Sequence, residues 1–157
     1  MSQIARTQDV QSPRPAVDAS TCSISGALDA LGDEWSLLVL RELFFGVHRF
    51  NDIQNDLGIS RSVLAARLNR LVGLGVVRTV PYQDPGDRVR NQYRLTRKGV
   101  ALLPVMVSLM QWGDEYVNDG RGPYVLTERE SGARVRVELR SADGSVVEPH
   151  NIVTQPR

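Results

Sequence analysis

Ser60-Arg61-Ser62-Val63-Leu64-Ala65-Ala66-Arg67-Leu68-Asn69-Arg70-Leu71-Val72-Gly73-Leu74 is the stretch whose reading decides the fold. Leu64, Leu68 and Leu71 recur at i, i+4 and i+7, which puts them on one face of a helix. Ser60 is placed to cap that helix, and Gly73 and Gly75 mark its end. Opposite the leucines stand Ser62, Ala66, Asn69 and Gly73, flanked by Ala65 and Arg70. That face is small near its start and polar. Arg61 and Arg67 sit beside it. A helix with a small polar outer face can press into the major groove of duplex DNA. A solvated helix face would look the same in isolation, so the neighbours decide.

Upstream, Phe50, Ile53 and Leu57 predict a short amphipathic helix ending at Gly58. Before it, Asp33 caps a helix with Glu34 in its first turn and the apolar run Trp35 to Phe45 behind, closed by Gly46. Ile24, Ala27, Leu28 and Leu31 predict another helix over 23–31. Downstream the period changes from helical to alternating. Val76 to Val80 and Asn91 to Leu95 read as strands around the turn Asp84-Pro85-Gly86-Asp87. Arg88 and Arg90 follow the tip, where they can enter a minor groove or hold phosphates. Arg49, at the start of the preceding helix, is placed to hold DNA backbone. Helices followed by a charged hairpin predict a mostly α fold with a small β element, a winged helix-turn-helix.

The charge supports this reading once it is localised. The 157 residues carry 19 Lys and Arg against 18 Asp and Glu, a net +1. Between Arg41 and Lys98, however, 11 basic residues face 5 acidic ones, a local +6. Ten of the eleven are Arg, whose flat fork suits phosphates and guanine edges. A bias toward Arg would explain the Arg/Lys ratio but not the clustering.

Thr96 caps an expected long helix running to about Asn118, stopped by Gly120 and Gly122-Pro123. It carries two apolar stripes, Leu102, Met106, Leu109 and Tyr116, and Leu103, Val107, Met110, Gly113 and Val117. One stripe covers the parent domain; the second predicts another copy of the chain as partner, a homodimer. Val135, Val137 and Leu139, the turn Asp143-Gly144, then Val146-Val147 read as a small terminal hairpin. The expected division is a flexible polar arm over 1–20, a DNA-binding and dimerisation domain over 21–122, and a β-hairpin extension over 123–157. The arm lacks the apolar stretch of a secretory signal, and no run of about 18 apolar residues spans a membrane. A single Cys22 forms no intrachain disulfide and fits a cytoplasmic location.

In order and spacing, the pieces resemble the HxlR-type regulators, relatives of the MarR winged-helix group. The resemblance rests on Cys22, Ala27-Leu28 and Leu31-Gly32, then Trp35-Ser36-Leu37-Leu38-Val39-Leu40-Arg41-Glu42-Leu43 and Arg49-Phe50-Asn51-Asp52-Ile53. It continues through Ile59-Ser60, Gly75-Val76-Val77, Tyr93-Arg94-Leu95-Thr96 and Trp112-Gly113. It implies a cytoplasmic homodimer binding an operator of two half-sites. The sequence departs from the family in having Ser23 where Pro usually follows the Cys, a longer wing, and a tail without cysteines beyond Gly122. In some family members the equivalent Cys senses oxidants. Here Cys22 is either such a sensor or a packed, inert thiol.

Trp35 and Trp112 are core or interface aromatics, or else line an effector pocket between the long helix and the DNA-binding core. His48 and His150 are the only histidines and lie far apart in sequence. With one thiol besides, neither a metal site nor a cofactor is expected. No Ser/His/Asp set or phosphate-binding glycine loop points to an enzyme. The expected function is sequence-specific binding of double-stranded DNA as a homodimer, most simply a repressor responsive to a small molecule or redox signal. The alternative is a winged-helix protein-interaction module without DNA binding.

Overall fold

The computed structural model describes residues 19–154. The expected arm over 1–20 lies almost wholly outside the described residues. A 3-10 turn, Ala19–Thr21, leads into α1 (Ser23–Leu31). α2 (Glu34–Phe44), α3 (Phe50–Leu57) and α4 (Arg61–Gly73) come next. A two-stranded antiparallel sheet is built from β1 (Val77–Tyr82) and β2 (Arg90–Leu95), in register from Val77↔Leu95 to Tyr82↔Arg90. α5 (Arg97–Val100) and α6 (Leu103–Tyr116) complete the domain. Asp33 caps α2 as expected, its carboxylate accepting the Ser36 N–H at 3.1 Å. Such a cap stabilises a helix by about 1 kcal/mol. Gly58 ends α3 at φ +61, a left-handed conformation that spares glycine the usual side-chain clash. That turn, continued by buried Ile59, lets α4 start at a new angle on the core.

Leu64, Leu68 and Leu71 are fully buried, in one cluster with Val39, Leu40 and Leu43 of α2, Ile53 of α3 and Val76-Val77 at the start of β1. Full burial of a leucine contributes roughly 1.5–3 kcal/mol, so this face holds α4 firmly.

The expected single helix from Thr96 is two helices. Pro104 has no N–H for the Val100 carbonyl, and its ring clashes with that carbonyl in a continuous helix. The chain therefore tightens at Ala101-Leu102, where Leu102 N–H bonds Gly99 O at 3.0 Å, and restarts as α6. The two apolar stripes of α6 are present, with a different membership. Met106 and Val107 are buried against the domain. Leu109 and Tyr116 join Val105 and Trp112 on the uncovered face. The tail keeps the Asp143-Gly144 turn, but its ladder is limited to single bridges, Thr127↔Arg134 and Arg140↔Val146. It is tied back to α6 by Val137 N–H donating to Gln111 Oε1 at 2.8 Å.

Gly99 locks α5 against the base of the wing. The Thr96 hydroxyl donates to Gly75 O at 2.6 Å and caps α5 at Gly99 N–H. A Cβ on Gly99 would lie 2.2 Å from the Val76 carbonyl oxygen. Gly99→Ala is therefore expected to destabilise the fold by about 1–3 kcal/mol, read by chemical denaturation.

Candidate nucleic-acid interface

The Ser60 hydroxyl accepts the Val63 N–H at 3.4 Å, so it caps α4. Ser62, Ala66 and Asn69 are exposed, and Ala65 is half-buried. The small polar face is thus open along the first three turns of α4.

Near the N-terminal end of that face, two arginines that flank the start of α3 and α4 are each held over an aromatic ring. The Arg61 guanidinium lies 5.0 Å from the Phe50 ring centre. The neighbouring Arg49 stands 4.5 Å over Tyr82 at the end of β1. Arg90 is the register partner of Tyr82 across the wing. Guanidinium groups over ring faces are held without losing their outward N–H edges. Arg49 also pairs with Asp84 at 2.8 Å, and this hydrogen bond raises its already high pKa. The pair ties the start of α3 to the wing. Arg88 is exposed at the tip, without an ion-pair or hydrogen-bond partner among the described residues. Arg90 is 3.8 Å from Asp87.

Two arginines expected at the groove have structural work inside the chain. Arg67 is half-buried, with Nε 2.7 Å from Asp33 Oδ2, an ion pair whose N–H does not point along the contact. Asp33 thus caps α2 with one oxygen and holds α4 with the other. Arg70 donates from Nε to Ala30 O at 3.1 Å and from Nη2 to Asp29 O, gripping the open C-terminal end of α1. Sequence reasoning passed over Asp33, Tyr82 and Asp84 as partners. They lie tens of residues from the groups they bind, and no local pattern signals such pairs.

Cys22 is a half-buried free thiol at the N-cap of α1. Trp35 packs against the core, while Trp112 is 60% exposed on α6 beside Tyr116. Cavities lie between α6, α2 and the tail, and neither tryptophan lines them. No helix among the described residues is long and apolar enough to cross a membrane.

A buried leucine face, an open helix face beside it and an antiparallel wing define a winged helix-turn-helix protein. The model of the HxlR-like helix-turn-helix family matches residues 30–121, more than half of the chain, and the chain belongs to that family. An uncharacterized HTH-type transcriptional regulator of Mycobacterium tuberculosis is 48% identical over 101 residues, covering 64% of this chain and 63% of that protein. The chain thus matches less than two thirds of that relative's length. A second such protein, from Synechocystis, is 34% identical over 61% of this chain and 70% of its own length. Among solved structures, PA1607 superposes with a TM-score of 0.76 at 38% identity, covering 88% of this chain and 96% of its own. That coverage extends past the wing and α6 into the tail. The reduced form of the transcriptional regulator YodB from B. subtilis gives a TM-score of 0.52 at 30% identity over 64% of this chain and 98% of its own.

His48 sits where the wing meets the helices, its carbonyl accepting the Tyr93 N–H at 2.8 Å. Burial, and then the Arg94 guanidinium, hold its imidazole pKa below the ordinary 6.5. The folded state therefore favours the neutral ring. Its contribution to stability is complete above pH 6.5 and is lost as the pH falls below that value. The melting temperature is expected to drop on acidification from about pH 7.5 to about pH 5.5, and to drop less in His48→Asn.

Proposed function

We propose that the protein is a sequence-specific, DNA-binding regulator of transcription that acts in the cytoplasm as a homodimer, most simply as a repressor answering a small-molecule or redox signal. One observation carries this reading: the small polar face of α4 is open while its opposite face is buried, with Arg61 at its start held over Phe50 and the neighbouring Arg49 held over Tyr82 of the wing. The relatives' names, HTH-type transcriptional regulators, support it. On this reading Ser62, Ala65, Ala66 and Asn69 meet base edges. Arg49, Arg61, Arg88 and Arg90 meet phosphates or the minor groove. Ser60 shapes the helix start, while Arg67 and Arg70 hold α4 in place and approach the DNA only at its flank. The working unit is 21–122, with 123–157 as an extension.

Trp112, Leu109 and Tyr116 support the dimer. They are 60%, 50% and 68% exposed on one face of α6, and α1 adds Ile24 and Leu28, also exposed. An apolar face of this kind on a small domain calls for a partner, and an identical face on a second copy supplies it. Leu109→Glu is expected to convert dimer to monomer in analytical ultracentrifugation while leaving the far-ultraviolet circular dichroism unchanged.

DNA binding is tested with the duplex recovered by genome-wide pull-down. Affinity is expected to fall steeply with salt, with a log–log slope near −5 for about six phosphates neutralised per dimer. Arg88→Ala should weaken all duplexes alike and flatten that slope. Asn69→Ala should cost roughly 1–3 kcal/mol at the cognate site and little elsewhere. Salt-insensitive or absent binding would return the chain to the protein-interaction reading.

A further inference from the structure

Between α2, α6 and the tail lies a cavity of about 240 Å³. Phe44 at the end of α2 and Phe45 just after it, Met106 and Met110 of α6, and Leu126 and Thr127 of the tail form its walls. It adjoins a larger cavity of about 470 Å³, sharing Val107, Met110, Leu126 and Val135 with it. Small-molecule sites have this character, mostly apolar walls with few polar groups. We propose that the smaller cavity binds an uncharged aromatic molecule of one or two fused rings carrying an acceptor oxygen, and that its occupancy alters DNA binding through α2. The proposal rests on the regulator reading above and names the site and class of its signal.

The walls argue for an aromatic ring. Thioether sulfurs and phenyl rings both make favourable contacts with a π-system. The polar groups argue for an oxygen without charge. Arg41, which lines the cavity, holds Glu42 Oε1 with Nε at 2.9 Å and with Nη2 at 2.5 Å. Its Nη1 has no hydrogen-bond partner among the described residues and remains a donor. Glu42 is buried and already matches the Arg41 charge. A carboxylate ligand would lose its hydration to meet a neutral pair rather than a free cation, whereas a carbonyl loses far less.

The position of the cavity links it to α4. α2 has the cavity at its C-terminal end, through Phe44 and Phe45. Along its length Val39, Leu40 and Leu43 pack in one cluster with the leucines of α4, and Asp33 at its N-cap pairs with Arg67. A ligand between α2 and α6 acts on the element that holds the recognition helix, and shifts DNA affinity by its preference for one placement of α2 over another.

The test uses the full chain and 2-acetylnaphthalene, with 2-ethylnaphthalene (no acceptor) and 2-naphthoate (charged) as comparisons. Calorimetry is expected to show at least tenfold tighter binding of the ketone than of either comparison. At a large excess over Kd the ketone should raise the melting temperature by roughly 5 °C or more. Thr127→Trp, which fills the cavity from an exposed tail position, should weaken ketone binding at least tenfold. Methyl spectra of 13C-labelled methionine give a readout independent of that variant: Met106 and Met110 should shift on ketone addition. Cognate duplex affinity should change at least threefold with the ketone bound. Equal binding of all three compounds, unmoved Met106 and Met110, or unchanged duplex affinity with the cavity occupied would overturn the proposal. Ketone binding to a protein that holds no duplex under any condition would instead sink the regulator reading and the link to DNA, leaving the ligand site standing.

Discussion

Leu64, Leu68 and Leu71 are shielded from water among Val39, Leu40, Leu43 and Ile53, and the other elements are arranged around that contact. It fixes which side of α4 faces out. A rotation of α4 by a third of a turn would expose leucine and bury Asn69 or an arginine without a partner. Burying an unpaired charge costs several kcal/mol, so the core admits one orientation. The wing inherits that orientation, because Val76 and Val77 enter the same core directly after α4. Thr96 then fastens the far end of the wing to the Gly75 and Val76 carbonyls. The open helix face and the hairpin therefore form one rigid unit, built on neighbouring segments of chain.

Most of this architecture was legible in the sequence because it is carried by local signals. Asp33, Ser60 and Thr96 act as caps where their residue types predict it. Leucine spacing gave the inward face of α4, and alternation gave the wing. Two features were not legible. The break before α6 depends on Pro104 meeting the Val100 carbonyl, which spacing of apolar residues does not register. The sorting of Leu109 and Tyr116 with Val105 and Trp112 on the uncovered face of α6 is the second: Leu109 lies only about 60° around the helix from buried Met106, a margin that apolar spacing leaves open. The tail hairpin was right in its turn and overdrawn in its strands. Its apolar residues alternate over 135–139, but Val135, Leu139 and Val146 stay exposed without a facing sheet, so little drives a ladder.

The arginines show why charge counts place a surface but not its contacts. Local sequence gives the cluster of +6; the structure divides it. Arg49 and Arg61 lie over aromatic rings, Arg88 is unpaired at the wing tip among the described residues, and Arg67 and Arg70 join helices together. For Arg67 and Arg70 the partners are 34 to 41 residues away, a carboxylate in one case and bare helix-end carbonyls in the other. A guanidinium serves equally in each setting because its five donors fit a phosphate, a carboxylate or a row of backbone oxygens.

The grip of Arg70 on α1 has a bearing on how such a chain can diverge. Descendants are free to vary Ser62, Ala66 and Asn69, exposed residues whose side chains join no other helix to α4. Changes at Arg70 would release the end of α1, where a Gly32 Cβ would already sit 3.0 Å from the Arg70 Nε. Variation on the open face is thereby channelled away from the arginine that ties two helices together. The position of Arg70 is kept by the needs of the scaffold, whatever the open face comes to carry.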